Sequence, residues 1–209
     1  MLVEMTAPNV HAKSISLLEG LHGNLLDLGC GAGALCERIA STYPHKFQIT
    51  GADFIKKNFK AKTKFIATDL NRSPLPFKNK SFDVIMLVEV IEHVRSPAQL
   101  LDEIHRILKK GGRLIISTPN VENWQSRIHF ALQTRFFSFL ESDMAYNNKS
   151  PGMGHLNPLF DFQLNALTHK KFVVENRAYN RIRIPIVRWK IPTMLRILGE
   201  VKIIRLKKI

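Results

Sequence analysis

The sequence predicts an α/β fold, a doubly wound, mostly parallel seven-stranded sheet with helices on both faces, and three observations predict it. Strand-like and helix-like patches alternate along the 209 residues, the pattern of a parallel sheet with crossover helices. The run from Phe82 to Val90 is long and almost wholly apolar, as a strand buried on both faces requires. The composition, 45% hydrophobic and 23% charged, is that of an ordinary globular chain and sets aside disorder, collagen and coiled coil. The length suits one well-cored domain over residues 1–209.

Each element has a local reason. Ile15, Leu18 and Leu21 predict a short amphipathic helix before the first strand. Strand-like runs follow at 24–29, 48–53 and 64–69, then 82–90. The clearest helix lies between the fourth and fifth strands. Ser96 caps it, Pro97 takes the first helical position, Gln99 completes a capping box, and Leu100, Leu101, Ile104, Ile107 and Leu108 form its buried stripe. Gly111 and Gly112 are expected to stop it. "GRLIISTP" reads as the fifth strand, and 121–168 is less regular, rich in aromatics, Asn and Gly. "FVVENRAYNRIRI" and "EVKIIRLKKI" read as two closing strands around a proline-flanked helical piece at 192–198.

Charge is unevenly distributed. The net charge is +14, and residues 170–209 hold twelve Lys and Arg against only Glu175 and Glu200, a local excess of ten. Such an end attracts nucleic acid, anionic lipid or a phosphorylated substrate, or serves as a solvated basic face. Cys30 and Cys36 are the only cysteines and suit neither a disulfide framework nor a zinc site, which predicts a reducing compartment. With no basic-then-apolar leader and no run of 18 apolar residues, a cytoplasmic protein that does not span a membrane is expected.

The stretch "NLLDLGCGAGAL", 24–35, carries the chemistry. Gly29, Gly31 and Ala34 fit G-x-G-x-x-A, in which a backbone loop and helix N-terminus hold a pyrophosphate. Asp27, two residues before the first glycine, argues against that use. A fixed carboxylate repels a pyrophosphate but attracts an ammonium or sulfonium. The chain also lacks G-K-[ST], which excludes a Walker-type loop. The loop therefore suits a cationic, phosphate-free cofactor.

The constellation D-x-G-x-G-x-G resembles motif I of class I S-adenosylmethionine-dependent methyltransferases. "GADF" at 51–54, "ATDL" at 67–70, "FDVIMLVEVIEHV" at 82–94 and "LKKGGRLIISTPN" at 108–120 match the ends of the second to fifth strands in order, so the resemblance covers 24–120. It is nearest the small-molecule O-methyltransferases of ubiquinone biosynthesis, and "GHLNP" at 154–158 is similar to a segment on their substrate side. The resemblance implies a Rossmann-like fold with a cofactor core at 24–120, a substrate or lid region at 121–168 and a basic closing part at 170–209. It also implies residue roles: Gly29 and Gly31 admit the methionine moiety, and Asp27 lies near its ammonium. Asp53 accepts the ribose hydroxyls, Phe54 lies against adenine, Asp69 and the Leu70 N–H hold the adenine edge, and Val88 and Glu89 border the reacting methyl. Only 15 residues separate Asp53 from Asp69, so the second crossover helix is expected as a stub.

Sulfonium methyl transfer is an in-line displacement that needs alignment and a nucleophile freed of its proton. No Asn-Pro-Pro-Tyr-like motif follows the fourth strand, and neither cysteine is placed for covalent attack. An oxygen nucleophile on a small or lipid-linked acceptor is the preferred reading. Two alternatives stand beside it: a non-catalytic cofactor-binding module acting through its basic surface, and an RNA-directed methyltransferase. Nucleic acid is disfavoured because the positive tail has few interleaved aromatics. The aromatic and basic run at 124–140, with Trp124, Phe130, Phe136, Phe137, Phe139, Arg127 and Arg135, sits where related quinone enzymes carry a lipid-contacting insertion. It reads either as a peripheral contact with an anionic membrane or as a lid helix packed on the core.

"EVIEH" places Glu89, Glu92 and His93 at i, i+3 and i+4, on one face if a helical turn follows the fourth strand. The pattern is similar to the Glu-x-x-Glu-His of small-RNA terminal 2′-O-methyltransferases and of some quinone O-methyltransferases. That similarity implies a divalent ion, Mg²⁺ or Zn²⁺, on Glu89, Glu92, His93 and a later histidine, here His155. Without a metal, His93 or His155 is the base, with Glu89 beside the methyl. The alternative is that Glu92 and His93 only brace the turn.

Overall fold

The structure is a computed structural model and describes residues 7–136, 138–139, 154–183, 190–191 and 197–209. In chain order its elements are α1 (Val10–Ser16), β1 (Gly23–Leu28), α2 (Ala34–Thr42), β2 (Phe47–Asp53), a 3₁₀ turn at Lys56–Asn58, β3 (Lys64–Ala67) and β4 (Phe82–Val88). A 3₁₀ turn at Ile91–His93 precedes α3 (Pro97–Ile107), β5 (Leu108–Pro119), α4 (Trp124–Gln133), α5 (Asp161–Thr168), β6 (Phe172–Tyr179), β7 (Ile182–Arg183), β8 (Lys190–Ile191) and β9 (Val201–Lys208).

Seven strands form one sheet in the order β3-β2-β1-β4-β5-β9-β6. The five from β3 to β5 are parallel, and β9 inserts antiparallel between β5 and β6. Successive residues of a strand face opposite sides, and two cores result. Leu26, Leu28, Ile85, Leu87, Leu114 and Ile116 pack with Leu100, Leu101 and Ile104 of α3 and Leu164 of α5. Leu25, Val84, Met86, Val88 and Ile115 pack with Val10 and Ile15 of α1 and Leu35 and Ile39 of α2. The sheet is thus covered on both faces, and its order reverses at β1/β4, where the carboxyl ends of an open α/β sheet leave a crevice.

Several local expectations are corrected. α1 ends at Ser16, so Leu18 and Leu21 lie in the turn after it, and Leu18 is fully buried there. α3 stops at Ile107 and β5 begins at Leu108. Gly111 and Gly112 therefore lie within the strand, at the irregular register between the Phe82↔Leu108 and Val84↔Arg113 pairs, and do not cap the helix. The sixth strand ends at Tyr179, and Ile182–Arg183 pairs instead with Lys190–Ile191 in a separate two-stranded ribbon. The helical piece expected at 192–198 lies outside the described residues except for Ile197 and Leu198, which form a turn. The stub between β2 and β3 is the 3₁₀ turn Lys56–Asn58.

Six of the cations of the closing part are engaged within the fold among the described residues. Lys171 pairs with Asp102, Arg177 with Asp161 at 2.7 Å, Arg181 with Glu200 at 2.8 Å and Arg205 with Glu175 at 3.1 Å. Lys202, 2% exposed, bonds Asp161 Oδ1 at 2.9 Å and the Leu159 carbonyl at 2.7 Å. Lys208 donates to the Leu108 carbonyl just past the C-terminus of α3 at 2.9 Å, where a cation is favoured.

α3 carries the largest share of one core, and its start is fixed by the Ser96 hydroxyl accepting the Gln99 N–H at 3.3 Å, the serine's half of the expected box. Ser96→Ala is expected to lower the unfolding free energy by about 1 kcal/mol. Urea denaturation should show the midpoint falling at unchanged slope.

Candidate active site

The β1 strand ends in a loop that only glycine permits. Gly29, Gly31 and Gly33 have φ of 79°, 53° and 88°, a region costly for residues with a Cβ. At Gly29 a Cβ would also lie 2.4 Å from Val90 Cγ2. The Gly29 and Cys30 N–H groups both donate to the Ala52 carbonyl, at 2.8 and 3.2 Å. Asp53, at the end of β2, accepts the Gly31 N–H at 2.8 Å and the Phe54 N–H at 2.6 Å. Its carboxylate thus shapes the loop from the neighbouring strand. Above this edge opens a cavity of about 1080 Å³ lined by Asp27, Gly29, Gly31, Asp53, Phe54, Asp69, Leu70, Val88, Glu89, His93 and His155 among others.

Asp27 lies on the floor, 1% exposed, with Cys36 Sγ donating to its Oδ2 at 3.2 Å. Burial raises its carboxyl from 3.8 to about 7, opposed by the Cys36 bond and reinforced by Asp53. Burial and the Asp27 charge push both thiols up, so Cys30 and Cys36 stay protonated and Cys36 acts as donor. At the end of β4, Glu89 adopts φ 55°. The Ser117 hydroxyl accepts the Glu89 N–H at 3.0 Å and donates to Glu89 Oε1 at 2.9 Å. Burial raises the Glu89 carboxyl, opposed by Ser117. Glu92 is fully buried, and its carboxyl is raised well above the ordinary range by burial and then by Glu89. Among the described residues no Lys or Arg pairs with Asp27, Glu89 or Glu92.

Three of the four residues expected around an ion converge. One ligand atom each from Glu92, His93 and His155 lies within 4.8 Å of the others. The His93 and His155 ring centroids are 4.7 Å apart. The join is made by the backbone: the Leu156 and Asn157 N–H groups donate to the Glu92 carbonyl at 2.7 and 3.1 Å. His93 Nδ1 meets the Gly154 carbonyl at 3.0 Å, and His155 Nδ1 meets the Ser138 carbonyl. A carbonyl only accepts, so each Nδ1 is a donor and Nε2 is the ring nitrogen left without a backbone partner. Burial lowers His93, with the neighbouring His155 acting in the same direction. Glu89 stands apart from this cluster because a 3₁₀ turn, not an α-turn, follows β4 and Ser117 holds its carboxylate.

On the adenosine side the placement is looser. Asp69 Oδ1 accepts the Asn71 N–H at 2.9 Å, and Oδ2 lies 3.5 Å from Arg72 Nε. Phe54 is 59% exposed at the rim, open to stack on a flat ring. Sequence reasoning missed the opposite wall, which includes His11, Asn123, Arg181, Glu200 and Val201. These positions come together only through the sheet, and no local pattern marks them.

A family model described as a methyltransferase domain matches residues 8–167. The chain belongs to the class I S-adenosylmethionine-dependent methyltransferases. It is 33% identical over 125 residues to the ubiquinone biosynthesis O-methyltransferase of Rhodopseudomonas palustris, an alignment covering 56% of this chain and 46% of that one. It is 33% identical over 135 residues to the ubiquinone/menaquinone biosynthesis C-methyltransferase UbiE of Geotalea uraniireducens, covering 56% and 55%. The chain spans about half the length of the curated relatives it matches. Among solved structures, the complex between the Haloferax volcanii Trm112 methyltransferase activator and the putative methyltransferase has the same fold, with a TM-score of 0.67 at 16% identity over 95% of this chain and 88% of that one.

The methyltransferase site fits its family's cofactor. S-adenosylmethionine is cationic at sulfur and amine, and two buried acids without basic partners, Asp27 and Glu89, border the glycine loop. In the free protein Asp27 is half protonated near pH 7, whereas a cationic ligand favours its ionised form, so binding below that pH must expel a proton. The affinity for S-adenosylmethionine is therefore expected to fall up to about tenfold per pH unit below 7 and to level off above it. Calorimetry between pH 5.5 and 8.5 checks this, and Asp27→Asn should bind more weakly with a flatter profile.

Proposed function

We propose that the protein transfers the sulfonium methyl of S-adenosylmethionine to an oxygen of a small or lipid-linked acceptor. The observation that carries this reading is the imidazole pair His93–His155 lining the glycine-loop cavity, with ring centroids 4.7 Å apart and each Nδ1 anchored on a backbone carbonyl. Residues 24–120 act as the cofactor core and 121–168 as the acceptor side. Asp27 and Glu89 favour the cationic cofactor before transfer, and the Asp53 edge sets its ribose. The acceptor hydroxyl is aligned near Val88, and its proton passes to the Nε2 of His93 or His155. His93, held neutral by burial at physiological pH, is ready to take it.

The buried Glu92 carboxylate with two imidazole nitrogens also fits a divalent ion. Two nitrogens and one oxygen suit Zn²⁺ better than Mg²⁺, which prefers an all-oxygen shell. Such an ion would be held by Glu92, His93 and His155, without Glu89, and would acidify a bound hydroxyl.

Surface features support a finer reading, in which the enzyme works at an anionic membrane. Ile128, Phe130 and Leu132 of α4 are 52%, 46% and 79% exposed, beside exposed Arg127 and Arg135. The aromatic run divides: Phe130 stacks on Phe136 with centroids 4.7 Å apart, whereas Phe139 is buried and lies 5.2 Å from His155. Phe137 lies outside the described residues. No described helix is long and apolar enough to cross a membrane.

His93→Ala and His155→Ala are each expected to lower kcat about a hundredfold or more while leaving the affinity for S-adenosylhomocysteine unchanged. Methyl transfer to cell-extract fractions with labelled cofactor reads the first, and calorimetry the second. Repeating the assay in chelator, with Zn²⁺, Mn²⁺ or Mg²⁺ added back, separates the two routes: full activity in chelator assigns proton removal to the histidines alone. For the membrane, flotation with phosphatidylserine vesicles but not phosphatidylcholine vesicles is expected, and Leu132→Glu should abolish it.

A further inference from the structure

Cys36 stands at the third position of α2, wholly buried. Its Sγ donates to Asp27 Oδ2 at 3.2 Å, back across nine residues of sequence to β1. A small donor in a helix has the carbonyl four residues back within reach. Here that carbonyl, of Ala32, accepts the Lys60 N–H at 3.0 Å, and the thiol goes to the acid instead. As a nucleophile or a redox centre the group is silent, because burial and the Asp27 charge hold it protonated and only the thiolate reacts. What is left to it is the donation of its one hydrogen.

Asp27 supplies the second observation. It is 1% exposed yet lines the cavity. Apart from the Cys36 bond, its oxygens have no hydrogen-bond partner among the described residues. Oδ2 is therefore held, and Oδ1 is the oxygen left to meet a ligand. A carboxylate fixed in this way meets its partner without first losing torsional freedom. Of the other titratable groups around it, Asp53 at the end of β2 adds like charge, and Cys30 of the glycine loop makes no hydrogen bond to it. Among the described residues the Cys36 thiol is thus the donor that steadies this acid.

We propose that Cys36 is a positioning residue of the cofactor site, its thiol fixing Asp27 so that Oδ1 meets the ammonium of S-adenosylmethionine. This rests on the cofactor role of Asp27 and adds the residue that holds the acid ready. The consequence for pH has a definite sign. A donor to a carboxylate favours its ionised form, which is the form a cation binds. Loss of the thiol raises the Asp27 carboxyl further above its ordinary range, so the pH at which cofactor affinity levels off moves upward. The loss of affinity is then large below that pH and small above it. Removal of a packing group alone would weaken binding equally at every pH.

The test is calorimetry of S-adenosylhomocysteine, which keeps the ammonium, with the full chain between pH 5.5 and 8.5. Cys36→Ala is expected to bind about fivefold more weakly at pH 6 and less than twofold more weakly at pH 8.5. Cys36→Ser restores a donor and should follow the wild type within twofold throughout. Equal affinity of Cys36→Ala and the wild type at pH 6, a loss that is the same at every pH, or a loss that Cys36→Ser shares overturns the proposal. Asp27→Asn is run beside them. If it binds as tightly as the wild type, the cofactor role of Asp27 falls and the proposal with it, whereas a weakened Asp27→Asn with an unaffected Cys36→Ala overturns the proposal alone. If Cys36→Ala does not fold, the infrared S–H stretching band decides in Cys30→Ser, where Cys36 is the one thiol left. That band should move to lower frequency as the pH rises through about 7 and Asp27 ionises, and a band that stays fixed overturns the proposal.

Discussion

The desolvation of acidic side chains at the carboxyl edge of the sheet governs this structure. Asp27, Glu89 and Glu92 are enclosed where β1 and β4 end, in a chain whose net charge is +14. Moving Asp27 from 3.8 to about 7 corresponds to a penalty on the order of 4 kcal/mol for its charged form. The fold accommodates this penalty without placing a lysine or arginine beside it. Burial shifts the acids toward their neutral forms, and small donors, the Cys36 thiol and the Ser117 hydroxyl, steady the oxygens of Asp27 and Glu89. The site is consequently organised to receive a cation, and a resident basic side chain would have blocked that role.

Among the described residues, several cations of the closing part are engaged away from the floor. Lys202 enters the core from β9 and is met by Asp161, the Leu159 carbonyl and, at 3.7 Å, Glu122. A buried ammonium is tolerated only when its donors are satisfied and its charge is countered. That requirement ties β9 to the start of α5 and to the segment after His155. Glu122 Oε2 also accepts the Asp161 N–H at 2.9 Å, so one buried network positions the chain on which the second imidazole sits. Arg205 and Arg113 share Glu175 across three neighbouring strands, which removes two more cations from the surface charge that composition alone implies.

How much of this was legible in the sequence follows from the range of each interaction. The glycine loop was readable because the need for left-handed φ and for an acid at its foot is written within seven residues. α3 was readable from its cap, its proline and its stripe, all local. Its end was misread. Gly111 and Gly112 look like a helix stop, yet Leu108 pairs with Phe82, and that long-range pairing draws the chain into the strand before the glycines are reached. The pairing of Lys202 and Arg205 was not legible in the basic tail for the same reason, since Asp161 and Glu175 are brought to them by the fold and not by sequence spacing. His93 and His155, 62 residues apart, were linked through resemblance and not through any spacing rule. Glu89 was grouped with them on helical spacing, and the tighter 3₁₀ turn after β4 sends its carboxylate to Ser117 instead.

This division has a functional consequence. The glycine loop, Asp27, Asp53 and Glu89 come from strand ends and the turns after them within one stretch of chain, so that edge of the cavity is local and specified by few residues. The opposite wall is assembled from separated parts of the chain, His11 of α1, Asn123 after β5, Arg181 after β6, Glu200 just before β9 and Val201 at its start, with Arg181 and Glu200 joined by an ion pair. Apart from Val201, none of these wall residues belongs to either apolar core. A fold arranged in this way can change what it methylates without changing how it holds the methyl donor. The charges and donors of that wall are set by sheet register and ion pairs, and the sequence patterns of 24–120 carry no information about them.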